Sequence, residues 1–257
     1  MSARALHAPV LEPVAVRGSL IGRLDARTRV MAAAGFALAA VAAHGLAAQT
    51  LALALAGLLA LVARLPPRPT LRRLLALEGF MALALVTLPF TVPGTPVAQW
   101  WGMEVSAEGI GRALSILVVA NAVVLATQAL LGSLEAVELG HALARLGAPR
   151  RLVVLMLFTL RYVEVLRQEY RRLRLSMRAR AFRPRTGWHT WRAYGWMVGM
   201  LLVMSVERSE RIHAAMRLRG FAGHYPVLDH GRAGRLDWGF GAVHAASVIA
   251  VLVMGMA

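Results

Sequence analysis

Four apolar runs stand in the first half of the chain, at residues 30–43, 46–62, 74–92 and 109–131. Their connections alternate between Arg-bearing and Arg-free. Five Arg precede the first run (Arg4, Arg17, Arg23, Arg27, Arg29), and none separates it from the second. Arg64, Arg68, Arg72 and Arg73 separate the second run from the third; no Arg lies between the third and the fourth. Arg112 falls inside the start of the fourth, and the remaining 19 Arg lie between Arg145 and Arg235. A helix needs about 20 apolar residues to span a bilayer, and cytoplasmic loops collect the cations. The pattern therefore predicts membrane spans with a cytoplasmic N-terminus. The first run is short, so its span is expected to begin near Thr28. A last run, residues 238–257, ends the chain and would leave the C-terminus outside.

Composition narrows the chemistry. Apolar residues make up 58% of the chain and its mean hydropathy is +0.58, against about 45–50% apolar for soluble domains. All 29 basic residues are Arg. Without Lys the chain cannot be a P-loop nucleotidase or a Schiff-base enzyme. Without Cys it has no disulfide, thiolate nucleophile or Cys-ligated metal. No secretory leader is evident in residues 1–29. The expected fold is all-α: a polytopic membrane protein with about five transmembrane helices, or six, plus long amphipathic cytoplasmic helices. It divides into an N-terminal arm (1–29), transmembrane helices 1–4 (30–132), a cytoplasmic and interfacial region (133–236) and a C-terminal transmembrane helix (237–257).

The region 133–236 carries the distinctive signal. Ser133 is placed to cap a short helix that stops at Gly147-Ala148-Pro149, with Glu135 favoured by the dipole at its start. A longer helix comes next, with Leu160, Val163, Leu166, Tyr170, Leu173 and Met177 on one face and Glu164, Arg167, Arg171, Arg174 and Arg178 on another. It ends at Ser176-Met177-Arg178-Ala179-Arg180-Ala181-Phe182. Trp188 and Trp191 suggest re-entry at the interface. Residues 194–206 are apolar but short for a span. They run without a breaker into the polar stretch beginning at Glu207, and the two read together as one long tilted helix. It ends at Ala215-Met216-Arg217-Leu218-Arg219-Gly220-Phe221, with Gly220 as the residue just past its end. Either 152–160 or 194–206 could supply a sixth span. The Met-Arg-x-Arg-(Ala/Gly)-Phe phrase thus occurs twice, 39 residues apart, each time at a helix C-terminus.

Other polar residues have simpler readings. Glu78 lies near the inner interface, about one turn from Arg72 and Arg73, where it is expected to pair or to snorkel. Asn121 and Gln128 share a face of the fourth span and read as interhelical hydrogen-bonding residues. Glu207 and Glu210 read as intrahelical partners of Arg211, His213 as a helix-surface residue, and the 12 Met as packing filler. The eight His are dispersed, so no metal site is expected; His224 and His230 share a loop without a zinc motif.

These residues resemble the T component (transmembrane coupling subunit) of energy-coupling-factor (ECF) transporters, ABC-type importers of vitamins and transition metals. The T components carry Ala-Arg-Gly-like motifs on coupling helices; the matches are Ala179-Arg180-Ala181 and Leu218-Arg219-Gly220. The first departs at its third position and the second at its first, and neither departure touches the Arg. Leu24-Asp25-Ala26-Arg27-Thr28-Arg29, Leu143-Ala144-Arg145-Leu146-Gly147-Ala148-Pro149, Arg161-Tyr162 and Glu207-Arg208-Ser209-Glu210-Arg211 extend the likeness from about residue 20 onward. The stretch from Arg208 to Phe221 looks most like the cobalt/nickel branch, the CbiQ type.

The resemblance implies a non-catalytic subunit with no cofactor, in the plasma (inner) membrane of a prokaryote. It implies two copies of a cytoplasmic ABC ATPase as partners, a small membrane substrate-binding (S) subunit for the metal ion, membrane lipid, and room for an accessory small membrane subunit. ATPase coupling would rest on Arg178, Ala179, Arg180 and Ala181 at the first tip and Arg217, Leu218, Arg219 and Gly220 at the second. Three rivals fare worse. An intramembrane enzyme would need paired catalytic groups within the spans. A secondary transporter would show an inverted repeat with broken helices. A nucleic-acid binder would interleave aromatics with its cations.

Overall fold

The computed structural model describes residues 19–100, 103–221 and 234–256. The N-terminal arm before residue 19, Trp101 and the loop holding His224 and His230 lie outside these. A 3-10 turn at Ile21–Arg23 precedes α1 (Ala26–Ala42), α2 (Leu46–Val62), α3 (Pro67–Thr91), α4 (Ala107–Leu131), α5 (Ala136–Arg145), α6 (Arg150–Ala179), α7 (Trp188–Leu218) and α8 (Arg235–Met256). The fold is all-α apart from a two-stranded antiparallel hairpin, β1 (Pro96–Trp100) with β2 (Met103–Ser106), in the connection between α3 and α4. Among the described residues α4 and α8 are long and apolar enough to cross a membrane; α2 is a shorter apolar helix.

The chain forms two compact units. The first comprises residues 1–142 and 230–257 and holds α1–α4 and α8; the second, residues 143–229, holds α6 and α7.

Small residues build the core of the first unit. Ala48, Ala52 and Ala56 recur every four residues on α2, and Ala122 and Ala126 do so on α4; all are at most 1% exposed. They form one cluster with Phe36, Ala40, Ala43 and Val251. In lipid, where apolar side chains gain little by leaving the solvent, such stripes let backbones approach and dispersion hold them. A second cluster joins Ile21, Ala32, Ala33, Ala63, Ala129 and Leu130.

Polar contacts fix the register. The Asn121 amide donates to Glu78 Oε1 at 3.1 Å and Arg73 Nη1 to Gln128 Oε1 at 3.4 Å, so α3 and α4 are linked twice. The expected interhelical role of Asn121 and Gln128 is borne out. Of the two readings of Glu78, the pairing with Arg72 or Arg73 is replaced: Glu78 takes Asn121, because α4 presents an amide at its level. The Ser115 hydroxyl donates to Gln49 Oε1 between α4 and α2. Ser106 caps α4 by accepting from the Gly109 N–H, and its hydroxyl donates to the Val92 carbonyl at 2.6 Å, closing α3 against α4. Gly109 is required there: a Cβ would lie 2.7 Å from the Leu88 carbonyl oxygen.

Candidate functional site: two Arg-bearing helix tips

The repeated phrase is a helix-stop motif. At the end of α6 the Phe182 N–H donates to the Met177 carbonyl at 3.0 Å and the Ala181 N–H to Arg178 at 3.0 Å. At the end of α7 the Phe221 N–H donates to Met216 at 3.1 Å and Gly220 to Arg217 at 3.0 Å. This crossed pair of bonds, from the sixth residue to the first and from the fifth to the second, is the Schellman cap. It requires a left-handed residue just past the helix. Gly220 supplies it at φ +78°, in the place its sequence position predicts; Ala181 supplies it at φ +60°. Glycine adopts that conformation freely, whereas a Cβ strains it.

The cap explains the phrase residue by residue. Met177 and Met216 give their carbonyls to the outer bond and are half-buried, as are Phe182 and Phe221. Arg178 and Arg217 accept the inner bond through their carbonyls. Arg180 and Arg219 occupy the cap position itself, leaving the helical axis with φ −86° and −90°. Arg178, Ala179, Arg180, Ala181, Arg217, Leu218, Arg219 and Gly220 are all exposed. Among the described residues none of these four Arg has an ion-pair partner. Each guanidinium therefore stands at the negative end of a helix dipole, fully able to take an external carboxylate. The end of α5 uses the same cap, with Ala148 donating to Leu143, Gly147 to Ala144, and Gly147 at φ +90°.

One ion pair ties the two long helices together. Arg208 Nη2 lies 2.9 Å from Glu169 Oε1, and Arg172 Nη1 is 3.6 Å from the same oxygen. Sequence spacing pairs Glu207 and Glu210 with Arg211; the ion pair found on this stretch instead runs between helices, from Arg208 to Glu169. Glu169 precedes Arg180 by 11 residues, and Arg208 precedes Arg219 by 11. At about 1.5 Å rise per residue each tip stands roughly 16 Å beyond the clamp. Beside it lies a 400 Å³ cavity lined by Tyr162, Val165 and Leu166 from α6 and Ser209, Ile212 and Met216 from α7. Both helices are continuous, so residues 194–206 belong to one long helix, as expected.

A family model described as CbiQ, cobalt transport protein, matches residues 17–228. The chain belongs to the CbiQ cobalt transport protein family. It is a membrane protein of that family. Among curated proteins none matches the chain.

The family match includes residues whose structural work sequence reasoning missed. Arg29, 3% exposed, donates through Nε to the Leu130 carbonyl at 2.7 Å and through Nη2 to Ser133 Oγ at 2.6 Å. It satisfies the Leu130 carbonyl in the last turn of α4 and balances that end of its dipole. Ser133 is thereby a correction: its oxygen serves Arg29, while the Glu135 N–H at the start of α5 donates to the Glu138 carboxylate. Asp25 caps α1 by accepting from the Arg27 N–H, and its own N–H donates to Asp237 Oδ1 at 2.7 Å. Asp237 Oδ2 also accepts from Gly234, so the starts of α1 and α8 share one carboxylate. The signal for Arg29 was an Arg embedded at the head of an apolar run; its partner, 101 residues away, was not readable. Among the described residues no group of three or more His, Asp or Glu could hold a metal ion.

Proposed function

We propose that this CbiQ-family chain is the transmembrane coupling (T) subunit of an ECF-type importer for cobalt or nickel, sited in a prokaryotic inner membrane. In this reading α6 and α7 lie on the cytoplasmic side. Arg180 and Arg219, with Arg178 and Arg217 beside them, dock into acidic grooves on two copies of an ABC ATPase. The observation that carries it is the matched ending of α6 and α7: the same cap places Arg180 and Arg219, each without an ion-pair partner among the described residues, 11 residues beyond a shared clamp. A topology signal alone needs cations but not matched geometry.

Guanidinium takes carboxylate bidentately, so a tip held in a groove resists shear as well as separation. When nucleotide binding closes the ATPase pair, the two grooves approach and the tips move with them. Long α-helices are stiff, and the Glu169–Arg208 clamp makes their motions dependent on each other. The displacement passes to the membrane face that holds a small S subunit with the metal ion. Chemistry of ATP stays on the ATPases, and this chain contributes no catalytic group.

The test is to purify the tagged chain from its own host, both native and as the Arg180→Ala/Arg219→Ala variant. The native chain should bring two ATPase copies and a small membrane subunit. The variant should lose the ATPases, or keep them with hydrolysis no longer linked to metal uptake. Normal assembly and uptake by the double variant would remove the basis for this assignment.

A further inference from the structure

The two tips share a backbone cap but differ in the residues beyond it. After Arg180 come Ala181, Phe182, Arg183, Pro184 and Arg185; after Arg219 come Gly220, Phe221, Ala222, Gly223 and His224. The imbalance extends along the chain. Between Glu169 and Glu207 there is no carboxylate, yet Arg171, Arg172, Arg174, Arg178, Arg180, Arg183, Arg185 and Arg192 all fall there. The approach to the second tip alternates in sign: Glu207, Arg208, Glu210, Arg211.

The cations of the first tip surround a hollow. Arg180, Arg183, Arg185 and His189 line an open cavity of 520 Å³, floored by Met177 and Phe182. Its walls are fixed. The Phe182 ring packs edge-on against Tyr194 with centroids 6.0 Å apart, and against His189 at 6.3 Å. The Arg185 N–H donates to Thr190 Oγ1 at 3.2 Å. The end of α6 is thus fastened to the start of α7, and the turn between them is preorganised. Among the described residues neither Arg183 nor Arg185 has an ion-pair partner, and both are exposed.

We propose that this turn is a second docking contact: Arg183 and Arg185, beside His189, form with Arg180 a cationic cup for a carboxylate-bearing protrusion of the acidic protein seated on the first tip. The proposal rests on the coupling reading above and adds residues outside the paired motif. Charge complementarity selects the occupant. A run of cations with no internal acid lowers the free energy of an acidic surface brought against it. Fastening the turn in advance removes part of the ordering cost that flexible Arg side chains impose on binding. The five residues after Phe221 at the second tip include no Arg, so the first should hold its partner against salt for longer.

The experiment uses the assembled transporter in lipid nanodiscs, with ATPase retention measured across a salt series. Arg183→Gln/Arg185→Gln should lower retention about fivefold to tenfold and flatten its salt dependence. Arg183→Lys/Arg185→Lys should keep most of the salt slope, since charge survives while the fork is lost. A photo-crosslinking amino acid in place of Arg183 should label the ATPase. Native retention by the Gln variant at every salt concentration overturns the cup. So does a crosslink to lipid alone, or a defect that appears only in discs containing anionic lipid, since the patch then serves the bilayer. The Arg180→Ala/Arg219→Ala variant separates the two readings: if it releases the ATPases while the Gln variant does not, coupling stands and the cup falls.

Discussion

The two units of this chain are held together by opposite means. In the first, close packing of small residues joins the helices, and the buried Arg29 and Asp237 each hydrogen-bond to a distant element. In the second, α6 and α7 bury almost nothing. Among the described residues Val153 on α6 and Met197 on α7 are their fully buried apolar side chains, while Leu152, Leu155, Leu175, Val198, Leu202 and Val203 are exposed. Among the described residues the Glu169–Arg208 clamp, the packing of Phe182 on Tyr194 and three caps of one kind give it form. The contrast teaches where each unit finds its stability. The α6–α7 unit consists of long helices whose apolar faces are left exposed.

Substitutions can break that comparison in order of effect. Ala52→Leu or Ala126→Leu places a branched side chain in a closely packed helix contact, and overpacking should cost about 1–3 kcal/mol or abolish folding. Thermal unfolding of the detergent-solubilised chain would register it. Ala214→Leu, exposed on α7, should leave the same transition unmoved; equal damage at both sites would erase the distinction between the units. Arg29→Ala strips the Leu130 carbonyl and Ser133 of their charged donor and should cost about 2 kcal/mol in the same assay.

Smaller changes sharpen the second unit. Ala181→Gly relieves a side chain at φ +60°, and Gly220→Ala introduces one at φ +78°. They should shift stability in opposite directions by about 1 kcal/mol each. Amide exchange at Phe182 and Phe221, whose N–H groups close the two caps, would show it. Glu169→Gln should cost least, about 0.2–1 kcal/mol, because the pair is partly solvated. A double-mutant cycle with Arg208→Gln measures the coupling. A larger coupling energy in the assembled transporter than in the isolated chain would mark the clamp as a transmitting contact rather than a fastening.

Some of this was legible in the chain itself. Helix caps close over five or six consecutive residues, so Met-Arg-x-Arg-(Ala/Gly)-Phe carries its own geometry, and Gly220 could be placed past the helix end before any fold was known. Spacing on one helix is equally local: Asn121 and Gln128, seven apart, had to share a face. Which helix they faced was another matter. Asn121 rather than an Arg for Glu78, Arg29 for Ser133, and Glu169 for Arg208 are meetings between residues 39 or more positions apart. Such contacts depend on which faces pack and at what depth, and no local periodicity encodes that.

The sequence alone determined the helices, their stops and the duplicated Arg tips, because hydrophobic period and capping chemistry act within a turn or two of chain. Only the tertiary structure decided that a buried guanidinium would finish α4, that one carboxylate would serve the starts of α1 and α8, and that a clamp would sit 11 residues short of both tips. Those outcomes arise from the close approach of distant backbones, where an unsatisfied polar group is too costly to leave and the nearest complementary group, wherever it lies in the chain, must answer it.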